Sequence, residues 1–172
     1  MTAVIIDMQE RLLPAMYEKE NLLQNSIKLL QGLRFLEVPV LLTQQYTRGL
    51  GATVPEICAA AGTAAYAEKL RFSAYEVLSP LLPAPKEAPF VLLSGIEGHI
   101  CVLQTAIELK EKGYQPVLVT DCISSRKKGD LDISFRRAEQ EGILLTTCES
   151  ILFELTETAG TATFKAVQRL IK

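Results

Sequence analysis

Cys101 closes the segment Ser94-Gly95-Ile96-Glu97-Gly98-His99-Ile100-Cys101, which follows an apolar run and leads into a helical stripe of Val102, Ala106 and Leu109. This order places the thiol in the first turn of a helix, at a strand-to-helix switch. There, unpaired backbone N–H groups and the positive helix end favour a thiolate and lower its pKa. Such a thiolate attacks carbonyl-type electrophiles. The competing reading is an inert small hydrophobe, the commoner state of a buried cysteine, and the residues alone leave both open. Asp7 ends the apolar run Ala3 to Ile6 and reads either as a helix cap or as a functional carboxylate. Lys69, in Glu68-Lys69-Leu70-Arg71-Phe72-Ser73, ends a weaker run, where a solvated surface charge is the alternative. His99 stands two residues before Cys101, either as a base for it or bonded to backbone or solvent.

The rest of the chain narrows this chemistry. His99 is the sole histidine, so a Ser-His-Asp or Cys-His triad requires that residue as its base, and a site with two His ligands cannot be built. Cys58, Cys101, Cys122 and Cys148 lie more than 20 residues apart, which gives neither a CxxC pair nor metal-type spacing. No metal is expected. Cys58 in an Ala-rich helix, Cys122 at a strand end and Cys148 at the start of a late helix read as inert. After Asp7 no glycine occurs until Gly32, so the glycine-rich dinucleotide loop is missing and no cofactor is expected.

These residues need a scaffold that brings strand ends together. Ala3 to Ile6, Val38 to Leu42, Phe90 to Leu93, Val117 to Val119 and Ile143 to Leu145 are continuous apolar runs of the kind found in strands buried on both faces. Between the first two, Leu23, Ile27, Leu30, Leu33 and Leu36 recur at helical spacing, with Asn21 and Gln24 placed as a capping pair. Helical stripes also follow the third and fourth runs, closed by Gly113 and Gly142. Residues 46–82 are less regular and read as a loop, a short helix at Pro55 to Ala61, a weak strand around Ala65 to Leu70 and a helix from Ser73. Two helices close the chain from Phe153 onward. Alternating strands and helices imply right-handed crossovers and a mostly parallel sheet covered on both faces. Ligands then bind beyond the carboxyl ends of the strands, which is where Asp7, Lys69 and Cys101 fall.

The 172 residues form one domain, residues 1–172, large enough to bury about 70 % of the unfolded surface without staples. A net charge of −2 removes the general pull on phosphates that supplies most nucleic-acid affinity, so nucleic acid is not expected as a partner. No apolar run approaches the ~20 residues of a membrane span, and the N-terminus has no basic flank or cleavage pattern. A cytoplasmic protein with a small-molecule substrate and no membrane partner is the expectation.

VIIDMQ around Asp7, KLRFSAY from Lys69 and SGIEGHICVLQTA around Cys101 resemble the three motifs of the isochorismatase-like cysteine hydrolases. TQQYTRGLGATVPEI and VTDCISSR extend the likeness over nearly the whole chain, nearest to the compact isochorismatase-domain proteins. The resemblance implies a three-layer α/β/α Rossmann-like sandwich of strand order 3-2-1-4-5-6. It implies that Asp7 takes the thiol proton, Lys69 holds the ion pair and Cys101 attacks an amide or related C–N substrate through a covalent intermediate. It places oxyanion donors on the backbone of Cys101 and of Glu97 or Gly98, and a cis peptide at Ile96-Glu97. Gln44, Tyr46, Phe72 and Ile96 flank the same strand ends as pocket candidates, although packing accounts for each equally well. Gly98 departs from the threonine or alanine often found there, which predicts a looser oxyanion loop. The metal cluster of the related nicotinamidases cannot be formed, and a homo-oligomer is implied. The alternative function is a silent binding or assembly module that keeps the three residues for structure.

Overall fold

The computed structural model describes residues 1–172 and contains six strands in one parallel sheet of order β3-β2-β1-β4-β5-β6. The strands are β1 (Thr2–Ile6), β2 (Val40–Gln45), β3 (Ala67–Lys69), β4 (Phe90–Ile96), β5 (Gln115–Ser124) and β6 (Leu144–Thr146). The helices are α1 (Lys19–Phe35), α2 (Thr47–Leu50), α3 (Pro55–Ala61), α4 (Tyr75–Leu78), α5 (Leu103–Glu111), α6 (Lys128–Gln140), α7 (Cys148–Thr156) and α8 (Ala162–Ile171). Residues of α4, α5 and α6 share one apolar core with Val4 and Ile6. Residues of α1, α3, α7 and α8 fill two further cores on the other face, with Ile5 in one and Ala3 in the other. Every residue of β1 is buried because neighbours cover both faces of the sheet, which explains its unbroken apolar run.

Several boundaries differ from the expectations. β2 begins after Pro39 and runs three residues past Leu42, because Thr43, Gln44 and Gln45 find hydrogen-bond partners at its end. β5 extends from the expected Val117–Val119 core to ten residues, with a register break between the Leu93–Leu118 and Gly95–Ile123 pairs. α1 starts at Lys19 after Glu18 in the left-handed region, so Asn21 lies inside the first turn and does not cap the helix. Gly113 and Gly142 both have positive φ after their helices, as a C-terminal cap requires. No helix is long and apolar enough to cross a membrane.

Strand order reverses between β1 and β4, since the chain builds outward to β3 and then returns to the other side of β1. Ile6 pairs with Gly95 at this switch, while Gln45 pairs with Lys69 two strands away. Gly95, at φ +112, faces the Ile6 backbone so closely that a Cβ would lie 2.1 Å from its carbonyl oxygen. A side chain there would force β1 and β4 apart. The close approach brings the residue after β1 to the turn that follows β4.

Candidate active site

Asp7 follows β1 at φ +51, a left-handed conformation costing a non-glycine residue about 1–2 kcal/mol, and least for Asp and Asn. Its side chain is fully buried. Thr43 Oγ1 donates to Oδ1 at 2.7 Å, and Lys69 Nζ faces Oδ2 at 2.7 Å. Lys69 is itself 3 % exposed and donates to Gln45 Oε1 (2.7 Å), Phe72 O (3.0 Å) and Arg71 O (3.3 Å). Those three acceptors match its three N–H groups. Oδ2 therefore has the lysine charge beside it but no donor at hydrogen-bonding angles, and it remains open to accept a proton.

Cys101, 7 % exposed, lies on a single π turn, Gly98–Val102, ahead of α5. This corrects the expected α-helical first turn; the Val102 N–H reaches back five residues to Glu97 O at 3.2 Å. The protonation expectation also changes. Burial pushes the Cys101 thiol up to about 12 and the Asp7 charge adds to this, while Lys69 opposes it. The resting group is a neutral thiol because desolvation outweighs the cation. Asp7 and Lys69 thus act on the thiol with opposite signs. The structure thus brings Asp7, Lys69 and Cys101 together from three separated strand ends.

Other candidates divide. Gln44 is buried but braces the next loop, donating to Thr53 Oγ1 at 3.0 Å and accepting from Thr47 Oγ1 at 2.9 Å. Its neighbour Gln45 meets the lysine. Side chains alternate along a strand, so Thr43 and Gln45 share the Asp7 side and Gln44 does not. Ile96 is fully buried in apolar packing, Tyr46 is half exposed over Gly49, and Phe72 contributes its carbonyl while its ring is exposed. His99 Nδ1 lies 3.0 Å from Ser125 Oγ, the residue that follows β5, so the ring is tied to that loop. Sequence reading missed Thr43, Gln45 and Gln9; Gln9 bridges the Gln45 N–H, Gln45 O and Gly51 O. Polar residues at alternate positions of a strand's last turn were the available signal.

The peptide between Ile96 and Glu97 is cis. Gly98 does not loosen the turn as expected: a Cβ would lie 2.9 Å from Ile123 Cγ2 and 3.0 Å from Leu131 Cδ1, so the turn is seated tightly on β5 and α6. No three His, Cys, Asp or Glu side chains cluster as a metal would require.

Comparisons with known proteins bear on the fold and the family. Residues 2–150 match the isochorismatase domain family. The chain is 34 % identical over 168 residues to isochorismatase domain-containing protein 2 of Danio rerio, covering 98 % of this chain and 85 % of that protein. Among solved structures, the MAR1 ribonuclease of Caenorhabditis elegans superposes with a TM-score of 0.87 at 32 % identity, over 99 % of this chain and 88 % of that one. At 20 % identity two YcaC proteins share the fold. The Escherichia coli protein, described as an octameric hydrolase of unknown specificity, has a TM-score of 0.89 over 99 % of this chain and 85 % of that one. The Pseudomonas aeruginosa protein, solved with covalent acrylamide, has a TM-score of 0.88 over 98 % and 87 %. With the sheet order and the matched span in agreement, the chain belongs to the isochorismatase family.

Proposed function

We propose that this protein is a cysteine hydrolase of a small amide or related C–N substrate. The observation that carries the reading is the buried Asp7–Lys69 pair, 2.7 Å apart, placed beside the Cys101 thiol. Asp7 Oδ2 accepts the thiol proton as sulfur attacks the carbonyl carbon, so the thiolate forms only when its charge passes to substrate. Lys69 Nζ, 2.7 Å from Oδ2, holds that carboxylate in place beforehand. The oxyanion is met by backbone N–H groups of Cys101 and of Glu97 or Gly98. The proton on Asp7 passes to the leaving amine, and water then cleaves the acyl-enzyme. Covalent acrylamide in a protein of the same fold is consistent with small amide-bearing electrophiles, and the octameric relative with a homo-oligomer. The test is hydrolysis across a panel of small amides by the wild type and Cys101→Ala, with mass measurement of the acylated protein. Ammonia or amine release that survives Cys101→Ala would overturn the mechanism. No turnover, with an unmodified Cys101, would favour the binding-module alternative.

A further inference from the structure

The turn that carries Cys101 is held from outside the three-residue site. Glu97 is 8 % exposed, and its Oε2 accepts from Arg126 Nε at 2.9 Å and from the Arg126 backbone N–H at 3.2 Å. His99 donates its N–H to Ser125 Oγ at 3.4 Å, and its ring nitrogen meets the same oxygen at 3.0 Å. Gly98 between them is packed on Ile123, Ser125 and Leu131 with no room for a Cβ. Three consecutive residues of the turn are therefore gripped by the segment 123–126 and the start of α6. None of these contacts reaches Asp7 or Lys69.

We infer that Glu97, through its charge-assisted pair with Arg126, is a positioning residue that holds the nucleophile turn in the geometry for attack; this rests on the hydrolase reading. The physical reason lies in backbone connectivity. The Glu97 carbonyl accepts from Ile100 and Val102, the residues on either side of Cys101, so a Glu97 that shifts carries the thiol with it. A carboxylate with two donors from one arginine has a narrower range of positions than a neutral contact would give. Arg126 is accessible, 60 % exposed in its side chain, so its loss can be tested without excavating the core.

The experiment measures the rate at which acrylamide labels Cys101, resolved by peptide mapping, with Cys58 in the same sample as reference and amide hydrogen exchange over residues 97–103. In Arg126→Ala and Glu97→Ala, exchange should rise and Cys101 labelling should slow by about tenfold or more, with Cys58 unchanged. Glu97→Gln, which keeps an acceptor for Arg126, should recover most of the rate. Unchanged exchange, unchanged or faster Cys101 labelling, or a Glu97→Gln no better than Glu97→Ala would overturn the inference. A wild-type Cys101 that never labels would instead bring down the hydrolase reading and this inference with it.

Discussion

Two buried thiols belong to cores on opposite faces of the sheet, and they differ in their neighbours more than in their burial. Cys101 sits above β1 and β4 with Asp7 and Lys69 acting on it. Cys122, fully buried in β5, interacts with Cys148, which is itself 3 % exposed and has its Sγ 3.7 Å from Asn25 O. Desolvation is the leading cause that raises both thiols. Burial alone therefore does not separate the proposed nucleophile from a packing residue. What separates them is a nearby acceptor that can take the proton: Asp7 Oδ2 is such an acceptor, and no comparable group with a paired cation acts on Cys122.

The contrast is sharpest in turnover. Cys101→Ala and Asp7→Asn should each lower kcat by about a thousandfold or more, since nucleophile and base act as a unit. Cys122→Ala should leave kcat within about twofold. Comparable losses at the two cysteines, measured on the same amide, would erase the distinction.

Stability comes next. Lys69→Met should destabilise the fold by about 3–5 kcal/mol in urea denaturation, because it strands a buried carboxylate. Adding Asp7→Asn to it should recover part of that loss. No recovery would show that the lysine works through packing.

A smaller effect is expected in the titration of the thiol, followed by its absorbance near 240 nm. Asp7→Asn should bring Cys101 down from about 12, since the Asp7 charge raises it, and Lys69→Met should push it further up. The folded value lies above the ordinary 9.0, so Cys101 contributes fully to stability below about pH 9 and loses that contribution as pH rises toward 12. Cys101→Ala should flatten this alkaline decline. The smallest expected effect is that of chelation: activity should be unchanged after exhaustive EDTA treatment, and restoration by added zinc of activity lost to EDTA would contradict the donor arrangement.

The amino-acid sequence by itself determined the parallel sandwich and the three strand ends at its centre. Continuous apolar runs at β1 and β4 reflect cover on both faces; Asp7 stands where the first stops, Cys101 five residues past the end of β4, and Lys69 at the end of the short β3. Tertiary structure decided which polar neighbour serves the site, since Gln44 and Gln45 differ only in the face to which the strand turns them. It also decided the state of the thiol. A local rule about helix ends favoured a thiolate, but the dielectric around Cys101 is set by β1, β4 and α5 together, and their packing outweighs the local dipole. The grip of Arg126 on Glu97 spans 29 residues and two strands, and only the register of β5 beside β4 brings that pair into contact.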